Sequence, residues 1–118
     1  VLATAATVKI RGYKDRVRIL DETVDVQEVA CTGLVPLIEQ GITSGPEIEK
    51  LLREYLQELS PDIDALVLGC THYPLIRSSI EKLWREIHKK TPPDLIDPGE
   101  EAAKKFRSWR ERRMGSSV

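Results

Sequence analysis

Cysteine is scarce in this chain: Cys31 and Cys70 are the only two in 118 residues. Two isolated thiols exclude a disulfide scaffold and point to a reducing, cytoplasmic setting. There is no C-x-x-C pair, and His72 has no second metal-type pair beside it, so no metal is expected. Neither sign of charge dominates. Eighteen Lys and Arg face nineteen Asp and Glu, for a net charge of -1, which gives no global attraction to nucleic acid or an anionic membrane. Lys104, Lys105, Arg107, Arg110, Arg112 and Arg113 are interspersed with Glu100, Glu101 and Glu111, as on a solvated helix face. No apolar run approaches membrane-spanning length. The opening VLATAATVK lacks the basic start and long apolar core of a secretory leader. Neither nucleic acid nor membrane is therefore an expected partner.

What is present suits one compact α/β domain with a modest core. Val1-Leu2 reads as the end of a strand begun elsewhere, a hint of a longer protein. Thr4 to Leu20 reads as a strand end turning into a helix. Thr23 to Ala30 alternates as a strand should. Leu34 to Glu39 suggests a short helix. Ser44-Gly45-Pro46-Glu47 fits a capping box. Behind it Ile48, Leu51, Leu52, Tyr55, Leu56 and Leu59 recur with helical spacing. Ala65 to Gly69 is uniformly apolar, as in a central parallel strand covered on both faces. Pro74 suits the first turn of the next helix, whose inner stripe is Ile76, Ile80, Leu83, Trp84 and Ile87. Leu95 and Ile96 form a short strand, and a last helix starts near Gly99. Strands alternating with helices predict a mostly parallel sheet flanked by helices.

In such sheets ligands bind beyond the carboxyl ends of the strands. Two polar clusters stand there: Thr4 with Thr7, and Cys70-Thr71-His72. A helix beginning just after Cys70 would turn its positive end toward the sulfur and favour thiolate. His72 is placed to exchange protons with that sulfur or with a substrate. Thr71 adds a hydroxyl and an N–H suited to a carboxylate. The plainer alternatives are packing for the cysteine, a cap or core role for the histidine, and helix caps for the threonines. A cysteine phosphatase fails on spacing, because Arg77 lies seven positions past Cys70. A cysteine hydrolase lacks a visible third group to orient His72. A thiolate acting as base on a small carboxylated substrate remains.

LVLGCTHYPLI closely resembles the second cysteine motif of the glutamate racemases, in the aspartate/glutamate racemase superfamily. VLATAATVKIRGY, EVACTGLVPLIEQG and LIDPGEEAAKKF resemble further segments of these enzymes, in the same order. The aspartate branch usually carries glutamate where His72 stands. The resemblance implies one lobe of a two-lobed fold: residues 1–93 as the second α/β lobe, and 94–118 as a return segment that docks on the first. It implies interconversion of L- and D-glutamate for bacterial peptidoglycan, without a cofactor, by two cysteines on opposite faces of the substrate. Cys70 matches the second of these, with His72 assisting its proton transfer. Thr4, Thr7, Thr71 and His72 match positions at the substrate, and Glu39 matches a glutamate associated with the site. Cys31 lies in VACTGLVP, where the family often has cysteine followed by proline, and reads as structural.

With one wall of the site and one of two thiols, the chain alone is expected to be inactive. Two other readings stay open. One is a non-catalytic fragment or binding module. The other is an amino-acid racemase of different substrate. Phe106 and Trp109 mark the last helix as a surface for a homodimer or other self-association.

Overall fold

The computed structural model describes residues 1–114. Its elements are β1 (Leu2–Ala3), α1 (Ala5–Lys9), α2 (Gly12–Leu20), β2 (Val29–Ala30), α3 (Leu34–Glu39), α4 (Pro46–Gln57), β3 (Ala65–Val67), a 3-10 turn (Tyr73–Ile76), α5 (Arg77–His88), β4 (Asp94–Ile96) and α6 (Pro98–Met114). β1 pairs with β2 in parallel, Leu2 opposite Val29 and Ala3 opposite Ala30. β3 pairs with β4 in parallel, with Leu66 opposite Leu95. A parallel bridge from Leu2 to Leu68 joins the two pairs. There the Gly69 N–H donates to the Leu2 carbonyl at 2.7 Å. The strands thus lie in the order β2-β1-β3-β4, the parallel α/β arrangement expected.

α3, α4 and α5 pack on one face of this sheet; on the other, Ala3 is fully buried and Tyr13 of α2 lies against Gly69. Leu2, Val29, Leu66 and Leu68 pack into a core with Leu34 and Ile38 of α3, Ile48, Leu52 and Leu56 of α4, and Ile80, Leu83 and Trp84 of α5. Burial of these side chains is the main stabilising contribution, at roughly 1.5–3 kcal/mol for each large aliphatic one. Arg53 with Glu86 and Lys82 with Glu49 tie the outer edges of α4 and α5. His88, in the last turn of α5, sets its Nε2 3.1 Å from the Leu56 carbonyl.

Four expectations need correction. Strand structure is confined to Val29–Ala30, because β1 offers partners to two residues only; upstream, Asp21 Oδ1 accepts from both the Thr23 N–H and hydroxyl, and Val24 is exposed. No capping box forms at Ser44. Gly45 is the N-cap, at φ +97°, a conformation natural to glycine, and it leaves Ser44 outside the helix with Pro46 in the first turn. β3 is fully covered on one face only: Leu66 and Leu68 are buried, whereas on the other Ala65 is exposed and Val67 half-buried. Finally, α5 does not start beside Cys70. The 3-10 turn intervenes, and α5 begins at Arg77, beyond the reach of a helix dipole.

α6 leaves the body of the chain. Its residues from Glu101 to Arg113 are exposed. Phe106 and Trp109 stack with ring centroids 5.9 Å apart, and the Arg113 guanidinium lies over the Trp109 ring. Residues 115–118, the last of the expected return segment, lie outside the described residues. Among the described residues no helix is long and apolar enough to cross a membrane.

Candidate active site around Cys70

The carboxyl ends of β1 and β3 lie side by side, held by the Leu2–Leu68 bridge. The chain leaves β1 into Thr4 and leaves β3 through Gly69 into Cys70. Topology therefore brings the two polar clusters of the sequence to one edge of the sheet. Gly69 is required by close approach: a Cβ there would stand 2.7 Å from the Leu2 carbonyl oxygen.

Cys70 is half-buried, with its Sγ 3.7 Å from His72 Nδ1. The other ring nitrogen, His72 Nε2, is 3.4 Å from Glu39 Oε1. Glu39 ends α3 and is exposed; His72 is half-buried. Sulfur, imidazole and carboxylate thus form a line. A carboxylate on one imidazole nitrogen favours a proton on that side, leaving the other nitrogen free to exchange one with the thiol. Glu39 is the third group that the residues alone did not reveal. It lies thirty-three positions from His72, and only the fold brings them together.

Thr4 caps α1: its Oγ1 accepts from the Thr7 N–H at 3.3 Å and donates to Thr7 Oγ1 at 3.1 Å. The capping reading is correct for Thr4. It also leaves the Thr7 hydroxyl proton free to reach outward from this edge. Thr71 is exposed and, with Cys70, lines an open cavity of about 320 Å³. Tyr13, Asp97 and Gly99 are among its other walls. His72, Glu39, Thr4 and Thr7 do not line it; Cys70 is the residue shared by this cavity and the imidazole pair. Tyr13 was not anticipated. Its signal in the sequence is faint: a glycine and an aromatic six residues past the second threonine.

Cys31 follows β2 and is buried. Its Sγ lies 3.7 Å from the Val29 carbonyl, and burial pushes its thiol up to about 12. A thiol so desolvated stays protonated and inert near neutrality. The neighbouring Tyr73 hydroxyl, which donates to the Cys31 carbonyl at 3.5 Å, is also raised, chiefly by burial.

No protein-family model matches the chain. Curated relatives do. A glutamate racemase of Thermoanaerobacter sp. (strain X514) is 43% identical over 99 residues, covering 83% of this chain and 36% of the relative. That of Carboxydothermus hydrogenoformans is 39% identical over 116 residues, covering 97% of this chain and 42% of the relative. Among solved structures, the Francisella tularensis glutamate racemase in complex with D-glutamate matches 99% of this chain and 43% of its own, at a TM-score of 0.81 and 33% identity. The chain thus spans about 40% of the length of the proteins it matches.

Proposed function

The chain belongs to the glutamate racemase family, and from that membership we propose that Cys70 carries a proton to and from the α-carbon of glutamate. The observation that supports this reading is the Cys70–His72–Glu39 line at the carboxyl end of β3. As thiolate, Cys70 removes the α-proton of one enantiomer; as thiol, it returns a proton to the same face. His72 relays that proton, and Glu39 orients the imidazole. Thr7 and Thr71, with Thr4 fixing Thr7, offer hydroxyl and N–H donors to the substrate carboxylates. An α-proton is very weakly acidic, so those donors must stabilise charge as it develops, in a site closed to water.

Inversion needs a second acid on the opposite face. Cys31 cannot serve, because it is buried in the hydrophobic core, where no substrate reaches its sulfur. The chain therefore supplies one wall of a two-walled site, as residues 1–93 of a racemase whose D-glutamate feeds peptidoglycan in the bacterial cytoplasm. No cofactor enters this scheme. Residues 94–118 are proposed to dock on the other lobe through the Phe106–Trp109 face, while β4 anchors their start to the sheet. That same exposed face favours a second reading, a module that associates through α6.

Thiol protection tests the reading. L- or D-glutamate is expected to slow alkylation of Cys70 by iodoacetamide, and aspartate to do so less; indifference of Cys70 to saturating glutamate would sink the proposal. Incubated alone with L-glutamate, the chain is expected to form no D-glutamate by chiral chromatography. Its formation would show that a second proton donor had been overlooked.

A further inference from the structure

The start of α2 meets both polar clusters through Gly12 and Tyr13, and Lys14 anchors it. Gly12 packs on Thr7, where an added Cβ would sit 3.3 Å from the threonine methyl. Tyr13 lies over Gly69, its ring edge 3.0 Å from where a Cβ on that glycine would stand, and it walls the cavity beside Cys70. The Lys14 N–H donates to Glu28 Oε1 at 2.9 Å, just before β2. α2 has no side-chain cap of its own, so this carboxylate takes up one of its free N–H groups. The other oxygen, Glu28 Oε2, is buried without a partner among the described residues. Arg11 turns the chain from α1 into α2 in the left-handed region, at φ +54°.

We propose that Tyr13 is a positioning residue: its ring, packed on Gly69 from a helix start that Glu28 anchors through the Lys14 N–H, holds the Cys70 sulfur toward His72. This rests on the reading of Cys70 and His72 as a working pair. The bridge at Leu2 fixes the strand up to Gly69. Beyond it the Tyr13 ring packs on the Gly69 backbone, one wall of the open cavity that Cys70 also lines. With the ring gone, the peptide leading into Cys70 loses that packing, and the sulfur is freer to turn away from Nδ1.

A double-mutant cycle on thiol reactivity tests this in the full chain. Iodoacetamide labelling of the Cys70 peptide is followed by mass spectrometry at neutral pH. His72→Asn is expected to slow labelling about fivefold or more in the parent, and less than about twofold in Tyr13→Ala. Tyr13→Phe, which keeps the ring, is expected to restore the full His72 effect. A folded Tyr13→Ala chain that keeps the full His72 effect overturns the proposal. Should Tyr13→Ala fail to fold by circular dichroism, Glu28→Ala is read the same way, with Glu28→Gln as its rescue. Absence of any His72 effect in the parent would instead overturn the thiol–imidazole pair, and the positioning role with it.

Discussion

The two thiols are chemically opposite, and burial is the reason. Cys31 sits among apolar side chains and Cys70 at a half-open edge. Near neutral pH, iodoacetamide is expected to modify Cys70 and leave Cys31 intact until the chain unfolds, a difference read by peptide mass. Cys31 also predicts a pH dependence. Its folded-state value of about 12 exceeds the ordinary 9.0, so between those values the unfolded chain gives up a proton that the folded chain keeps. The stabilising contribution is complete below pH 9 and is lost as pH rises toward 12. Tyr73 acts in the same direction. Melting temperature is expected to fall above pH 9, and less steeply in Cys31→Ala once the smaller core is allowed for. An unchanged slope in that variant would mean the thiol is not what titrates.

Within elements, periodicity carried information wherever packing decided the outcome. The stripe of α4 was legible because Ile48, Leu52, Tyr55 and Leu56 meet the core directly. Leu52→Ala is expected to cost about 2–5 kcal/mol in urea denaturation, as for other fully buried leucines. Short strands were less legible. Whether Thr23–Ala30 pairs depends on the length of β1, which the segment's own alternation does not encode. The start of α4 was misread because glycine at positive φ outcompeted a serine cap. The candidate site was half legible. Cys70-Thr71-His72 and Thr4/Thr7 are local patterns, whereas Glu39 and Tyr13 reach the sulfur's neighbourhood only through tertiary folding.

At the scale of the molecule, one surface lacks a covering layer among the described residues: α6 beyond its first turn, exposed from Glu101 to Arg113 with Phe106 and Trp109 on it. An exposed helix that carries two stacked aromatic rings is suited to packing against a partner. Sedimentation is expected to detect concentration-dependent self-association of the chain, weakened by a Phe106→Ser, Trp109→Ser double variant. A strictly monomeric parent at high concentration would argue that α6 is not adhesive by itself.

The carbonyl oxygen facing Gly69 carries one more consequence. Two backbones touch there with no side chain between them, so even a methyl group would have to wedge the sheet apart. The displaced segment would include the peptide that bears the sulfur, and through it the alignment with the imidazole. Gly69→Ala is thus a chemically silent change that is expected to blunt the thiol's response to His72 while leaving every reactive atom in place. The tolerances of the proposed proton relay are set by the one residue there that has no side chain to contribute.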